Sequence, residues 1–191
     1  CTFHPFLANF TVGALLTEWD QNHFVRQEIE RKIAQHEYSL PLGLFAPVPY
    51  QVAFNQRHPQ DFGQKKDFLC PYYDRVKNQC GAWVYRGPIC TSYYCVSDFG
   101  SDGMAFWEMW GDYLHHCEMV LAQDCLVSLG LPHELIDYQL EYLNCEEGTE
   151  EELASPSMPI AHYKNLWAAW PDSPESFYKA SYSYVKSLSL K

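Results

Sequence analysis

Four cysteines, Cys70, Cys80, Cys90 and Cys95, fall within one stretch of 26 residues, CPYYDRVKNQCGAWVYRGPICTSYYC, at the spacing C-x9-C-x9-C-x4-C. That spacing places the thiols on loops or short turns rather than along one regular helix. Pro71, Gly81 and Pro88 stand beside three of them and supply the turns that convergence requires. Loops can meet at a point, and four thiolates meeting there make a tetrahedral sulfur site suited to zinc or to an iron–sulfur cluster. Two other uses of cysteine compete. Isolated cysteines on apolar faces serve packing, which fits Cys117, Cys125 and Cys145. Disulfides are the other use: the eight cysteines form an even set, and Asn9-Phe10-Thr11 would be a glycosylation sequon in a secreted chain. A chain of 191 residues, however, has core enough without staples.

At 47% hydrophobic and 16% aromatic residues the sequence is that of a packed protein, and its length suits one domain. We therefore read 1–191 as a single metal-binding domain, with the cysteine block at 70–95 and a helical part at 101–191. The formal charge is −11, from 24 acidic against 13 basic residues, so the average field repels phosphate backbones and anionic lipid. No nucleic-acid partner is expected. Apolar runs are far shorter than the roughly 20 residues that span a bilayer, so no membrane span is expected either. The localisation this implies is cytoplasmic, with export or a lipid anchor through Cys1 as the alternative. Thr2-Phe3-His4-Pro5-Phe6-Leu7 looks like structured chain rather than a polar tether, which favours an internal start over an anchor.

The hydrophobic pattern predicts a mainly α fold, with helices packed around an irregular, loop-rich cysteine core. An irregular entry leads to a helical turn over Val12 to Leu16. From Glu18 to Tyr38 the residues Phe24, Val25, Ile29 and Ile33 recur at helical spacing among charges and form a buried stripe. Residues 39–69 carry four prolines and read as loop, with one short strand over Tyr50 to Phe54. The longest helix is expected over Met104 to Leu129, ended by Gly130 and Pro132. Its inner face would be Phe106, Trp110, Tyr113, Leu114, Cys117 and Leu121. Further helices are expected over His133 to Asn144 and Ile160 to Trp170. Glu146 to Glu152 reads as a solvated linker. Ser173-Pro174-Glu175 caps a last helix that turns Phe177, Tyr184 and Leu188 inward.

The run C70-P-Y-Y, then C80-G-A-W-V-Y-R86-G-P-I-C90, then C95, resembles the YkgJ-like cysteine-cluster family of zinc- or iron-chelating domains, which includes flagellin lysine-N-methylases. By that resemblance Cys70, Cys80 and Cys90 match family cysteines, Arg86 matches the family arginine, and Trp83 stands where the family has tyrosine. The likeness covers about 26 residues closely and the rest hardly at all. Gly87 replaces the proline that follows the arginine in the family, with Pro88 one place later. The family's tight N-terminal cysteine group is represented here only by Cys1.

The ligand set expected is Cys70, Cys80, Cys90 and Cys95, with Cys1 as a further candidate. A [4Fe-4S] cluster, the preferred occupant over Zn2+, would want aromatic walls and a cation near its negative charge. Tyr72, Tyr73, Trp83, Tyr85, Tyr93 and Tyr94 are the candidate walls, and Arg86 the cation. The function this implies is electron transfer, or service as a cofactor-bearing subunit, with a protein redox partner or a larger assembly. The alternatives are a structural zinc module and a protein-modifying enzyme of the lysine N-methylase kind. Against the enzyme, the sequence holds no G-x-G-x-x-G or P-loop motif and no H-E-x-x-H. His115 and His116, adjacent on a helix, point about a hundred degrees apart and do not face one ion together. Asp98, Asp102 and Asp112 read as caps or solvated side chains.

Overall fold

A computed structural model describes residues 1–93, 98–170 and 173–188. Its centre is α1 (Asn9–Glu18), a helix buried on nearly every side through Thr11, Val12, Gly13, Ala14, Leu15 and Leu16. The last helix, α9 (Pro174–Ser187), lies against it. As the sequence indicates, Ser173 caps α9, its hydroxyl accepting the N–H of Ser176 at 3.3 Å, and Phe177 faces the core. Tyr178 and Ser181 are buried beside it, whereas Leu188, expected inside, is exposed where the helix runs past the body. The two helices touch backbone to backbone at Gly13, where a Cβ would run into the carbonyl of Tyr178. Gly13→Ala is therefore expected to cost about 1–3 kcal/mol, the usual range for overpacking. Urea unfolding measures it, and a midpoint equal to the parent's would mean that the helices do not approach this closely.

Helix α2 (Phe24–Ala34) buries Val25, Ile29 and Ile33 of the expected stripe, with Phe24 half-buried, and also Lys32. The chain then turns sharply through His36 and Tyr38, both at positive φ, into a segment whose every residue from 37 to 48 is buried. Buried backbone must find hydrogen-bond partners. Part of this segment finds them in a small antiparallel sheet, β1 (Leu7–Ala8), β3 (Gly43–Leu44) and β2 (Ser39–Leu40), with β3 central and Leu44 opposite both Leu7 and Ser39. Side chains supply the rest. Asn9 donates to Pro41 O at 3.2 Å and to Ala122 O at 2.9 Å, and Gln139 accepts from Leu42 N at 2.7 Å. Gln51 donates to Ala46 O at 2.7 Å, Trp167 Nε1 to Ser39 O at 3.0 Å, and Tyr178 Oη to Leu40 O at 2.7 Å.

The strand expected over Tyr50 to Phe54 is instead α3 (Val48–Asn55). Pro49 sits in its first turn, where a missing N–H costs nothing and the fixed φ suits a helix. Among the described residues the strands are pairs of two residues, too short for any alternation to show. A hairpin, β4 (Tyr73–Asp74) and β5 (Gln79–Cys80), leads to α4 (Pro88–Ser92) and then to α5 (Gly100–Ser128).

Helix α5 ends as the sequence indicates, with Gly130 at φ 83 and Leu131 N bonded to Leu126 O. Its inner face differs from the expected one. The buried positions are Gly111, Met119, Ala122, Cys125 and Leu126, while Phe106, Trp110 and Tyr113 are exposed and Leu114, Cys117 and Leu121 half-buried. Only the C-terminal half lies on the core, and the N-terminal half has α4 as its neighbour. None of the six expected residues is buried, and even in the C-terminal half the core-facing positions are Met119, Ala122, Cys125 and Leu126 rather than Cys117 and Leu121. The remaining helices are α6 (Glu134–Leu140), α7 (Glu150–Ala154) and α8 (Ile160–Trp167). α7 converts half of the expected acidic linker into helix, because Thr149 and Glu152 form a reciprocal capping box.

Candidate metal centre

Three of the four clustered cysteines come from three local devices. Cys70 opens a turn: its N–H donates to Cys1 O at 3.0 Å, and its carbonyl accepts Tyr73 N at 3.1 Å. Cys80 lies on β5 opposite Tyr73. The tip of that hairpin is held by Asp74 Oδ1, which accepts Val76 N at 2.9 Å and Lys77 N at 3.0 Å, with Asn78 at φ 52. Gly81 follows, donating to Tyr72 O at 2.8 Å. It lies so close to the Phe24 ring that a side chain there would collide with it. Cys90 sits in the first turns of α4, where its N–H donates to Gly87 O at 3.1 Å.

These devices bring Cys70, Cys80 and Cys90 within electrostatic range of one another. Burial pushes the Cys70 thiol up to about 12, and the neighbouring thiols of Cys90 and Cys80 push it in the same direction. The N-terminal amine opposes them. Cys90 rises to about 11, again chiefly from burial, with Cys80 and Glu118 adding to the rise and Arg86 opposing it. As thiolates, these groups would repel one another and need a shared cation to be stable here.

Arg86 is built into the same turn. Its guanidinium lies 3.5 Å from the centre of the Trp83 ring, Nε donates to Trp83 O at 3.3 Å, and Nη1 lies 3.5 Å from Cys90 O. One planar cation thus ties the short 3-10 turn Trp83–Tyr85 to the turn that carries Cys90. Trp83 is 63% exposed and Tyr93 55% exposed, so these two face solvent. Trp83 shields Arg86. Tyr72 is fully buried, with Cys70 among the groups that raise its pKa, and Tyr73 is half-buried opposite Cys80.

Sequence reasoning did not single out His4, Glu118 or the hydroxyl of Tyr72 as parts of this neighbourhood. His4 packs edge-on against Tyr50 and Tyr72, and burial with Lys32 and Arg31 nearby holds it well below the ordinary imidazole range, hence neutral. Its Nε2 and the Tyr72 hydroxyl are both buried without a hydrogen-bond partner. Glu118 enters from α5, a carboxylate oxygen standing 3.4 Å from where a Cβ on Gly87 would lie. His115 Nδ1 stands 3.6 Å from Glu118, while His116 is exposed. No local pattern could have found His4 or Glu118, since each belongs to an element far from the cysteine block in the chain; Tyr72 lies inside the block, and the missed part is its buried, unpartnered hydroxyl.

Cys95 and Tyr94 lie outside the described residues. Cys1 is exposed, and what it contributes in the structure is its carbonyl to Cys70. The remaining cysteines stand elsewhere: Cys125 is buried with Sγ 3.8 Å from Ser181 O, Cys145 Sγ lies 3.5 Å from Glu141 O, and Cys117 is half-buried on α5. None of the seven described cysteines is in a disulfide. Among the described residues, no three Cys, His, Asp or Glu side chains are placed to hold a single metal ion. No helix of the described residues is long and apolar enough to cross a membrane. Compared with known proteins, the chain matches no family model, no curated protein and no solved structure, so the likeness to the YkgJ-like family stands on the cysteine-block residues themselves.

Proposed function

We propose that the chain holds a [4Fe-4S] cluster through Cys70, Cys80 and Cys90, with Cys95 as fourth ligand, and serves in electron transfer or as the cofactor-bearing subunit of a larger assembly. The observation that carries this reading is the gathering of three thiols, each ten residues from the next, with a guanidinium bound to the backbone of one of them. The donor set is soft sulfur, which suits iron–sulfur and zinc alike. The [4Fe-4S] cluster is preferred because it would want an aromatic wall and a cation near its negative charge, and buried Tyr72 and Arg86 stand beside these cysteines.

Two unpartnered buried groups, the Tyr72 hydroxyl and His4 Nε2, fit the same reading, since cluster sulfurs are hydrogen-bond acceptors and tyrosine near Cys70 has a proton to donate. When bound, such a cluster supplies one-electron redox chemistry. Cys70, Cys80 and Cys90 would hold it, buried Tyr72 would exclude water from its Cys70 side, and Arg86 would stand against its negative charge. Protein purified without air is expected to contain iron and acid-labile sulfide and to absorb visible light. Colourless protein with one zinc per chain would replace this reading with the structural zinc module.

A further inference from the structure

We infer that the N-terminal half of α5, together with the end of α4, is the docking face for a basic partner protein that sets lysine or arginine side chains around an apolar centre. The inference rests on the proposed cluster in one respect: α4 carries both Cys90 and one wall of the docking cleft, which makes the partner an electron donor or acceptor.

Two adjoining surfaces make up the face. Phe106, Trp110 and Tyr113 recur at helical spacing and are 43–57% exposed, with Met109 at 67% and Phe99, just before the helix, at 84%. Aromatic and methionine side chains grouped in this way are typical of interface centres, and a soluble protein seldom leaves such a patch open without a use for it. Beside this stripe lies a cleft of about 420 Å3 between α4 and α5, walled by Ile89, Tyr93, Met104 and Trp107, with the carboxylates of Glu108 and Asp112 on its rim.

Charge identifies the occupant. Helix α5 carries five carboxylates, Asp102, Glu108, Asp112, Glu118 and Asp124, and not one Lys or Arg in its 29 residues. Glu108 and Asp112 are one turn apart, an arrangement of like charges that is unfavourable by itself, and among the described residues neither is ion-paired with a Lys or Arg. A second copy of this chain would bring the same carboxylates against these, and anionic lipid would be repelled likewise. A basic protein gains on both counts, from opposite charge and from cations over aromatic faces.

Cytochrome c, a basic electron carrier, serves as the probe, titrated calorimetrically into metal-loaded protein at low and then higher salt. Binding that weakens with salt is expected, and the double variant Glu108→Lys/Asp112→Lys should weaken it at least tenfold. The double variant Glu146→Lys/Glu147→Lys changes net charge equally at exposed positions outside α4 and α5 and should weaken it less than twofold. Trp110→Ala, which leaves the charge alone, should weaken it severalfold. Equal losses in the two charge variants would overturn the docking face, as would a dimer in sedimentation that Trp110→Ala dissolves. Iron, sulfide and the visible spectrum are read on the same samples. Their absence with face-dependent binding intact would sink the cluster and leave the docking face standing.

Discussion

Alanine in place of Cys70, Cys80 or Cys90 is expected to strip the metal from the protein, each substitution by itself and nearly completely. The three thiols come from a turn, a hairpin strand and a short helix. None of these has a spare sulfur to substitute, so removing one leaves an incomplete ligand set. Cys95→Ala is expected to behave in the same way. The controls are Cys117→Ala, Cys125→Ala and Cys145→Ala, which should retain metal at the parent level. Cys125, fully buried, should cost on the order of 1–2 kcal/mol for the lost packing. Iron, sulfide and zinc analysis of the seven variants decides the matter. Metal retained without Cys80, or lost without Cys125, would show that the ligand set is drawn wrongly.

The second large effect lies under the site rather than in it. Lys32 is fully buried, and its ammonium is paired with Glu37, whose other oxygen accepts Arg31 Nη1 at 2.7 Å. Arg31 is held in turn by Glu28. Burial lowers the Lys32 pKa and Glu37 works against that loss, so the carboxylate is what keeps the charge tolerable inside. Glu37→Ala removes it and strands the ammonium, and about 3–5 kcal/mol of stability should go with it. Replacing both partners, as Lys32→Met/Glu37→Leu, should recover most of the loss, because the cost of an unpaired buried charge disappears with the charge. Urea unfolding of the three proteins tests the ordering. A single variant no less stable than the double would show that the pair is solvated.

Much of the helical scaffold was legible in the sequence because its signals are local. The α2 stripe of Val25, Ile29 and Ile33, the Ser173 cap and the Gly130 stop each rest on a few neighbouring residues, and the structure places them as the pattern indicates. What the pattern missed depends on residues far away in the chain. Lys32 reads as one more charge on a solvated helix face, since only Glu37 and the fold above it make it buried. For α5 the pattern turned the wrong face inward, Leu114, Cys117 and Leu121 in place of Met119, Ala122, Cys125 and Leu126, because which side meets the core is decided by where α1 and α9 lie. Pro49 looked like a loop signal and proved to be a helix start. At the candidate site the cysteine spacing was readable, and the family resemblance pointed to Arg86. The contributions of His4, Glu118 and the Tyr72 hydroxyl were not, because they arrive from the N-terminus, from α5 and from a side chain whose neighbours no spacing encodes.

The buried segment 37–48 has a consequence for how the chain is made. Its carbonyls at Ser39 and Leu40 are satisfied by Trp167 and Tyr178, which follow 128 and 138 residues later. Until those residues have left the ribosome, the segment must stay wet or find temporary partners, and α1 has no α9 to close over it. The order of synthesis therefore opposes stepwise folding: the residues translated first are those whose burial is completed last. A helical protein is usually a fast folder because its contacts are local. Here the loop at the centre imposes long-range closure on a helical scaffold, which is expected to slow folding relative to a helical protein of local contacts.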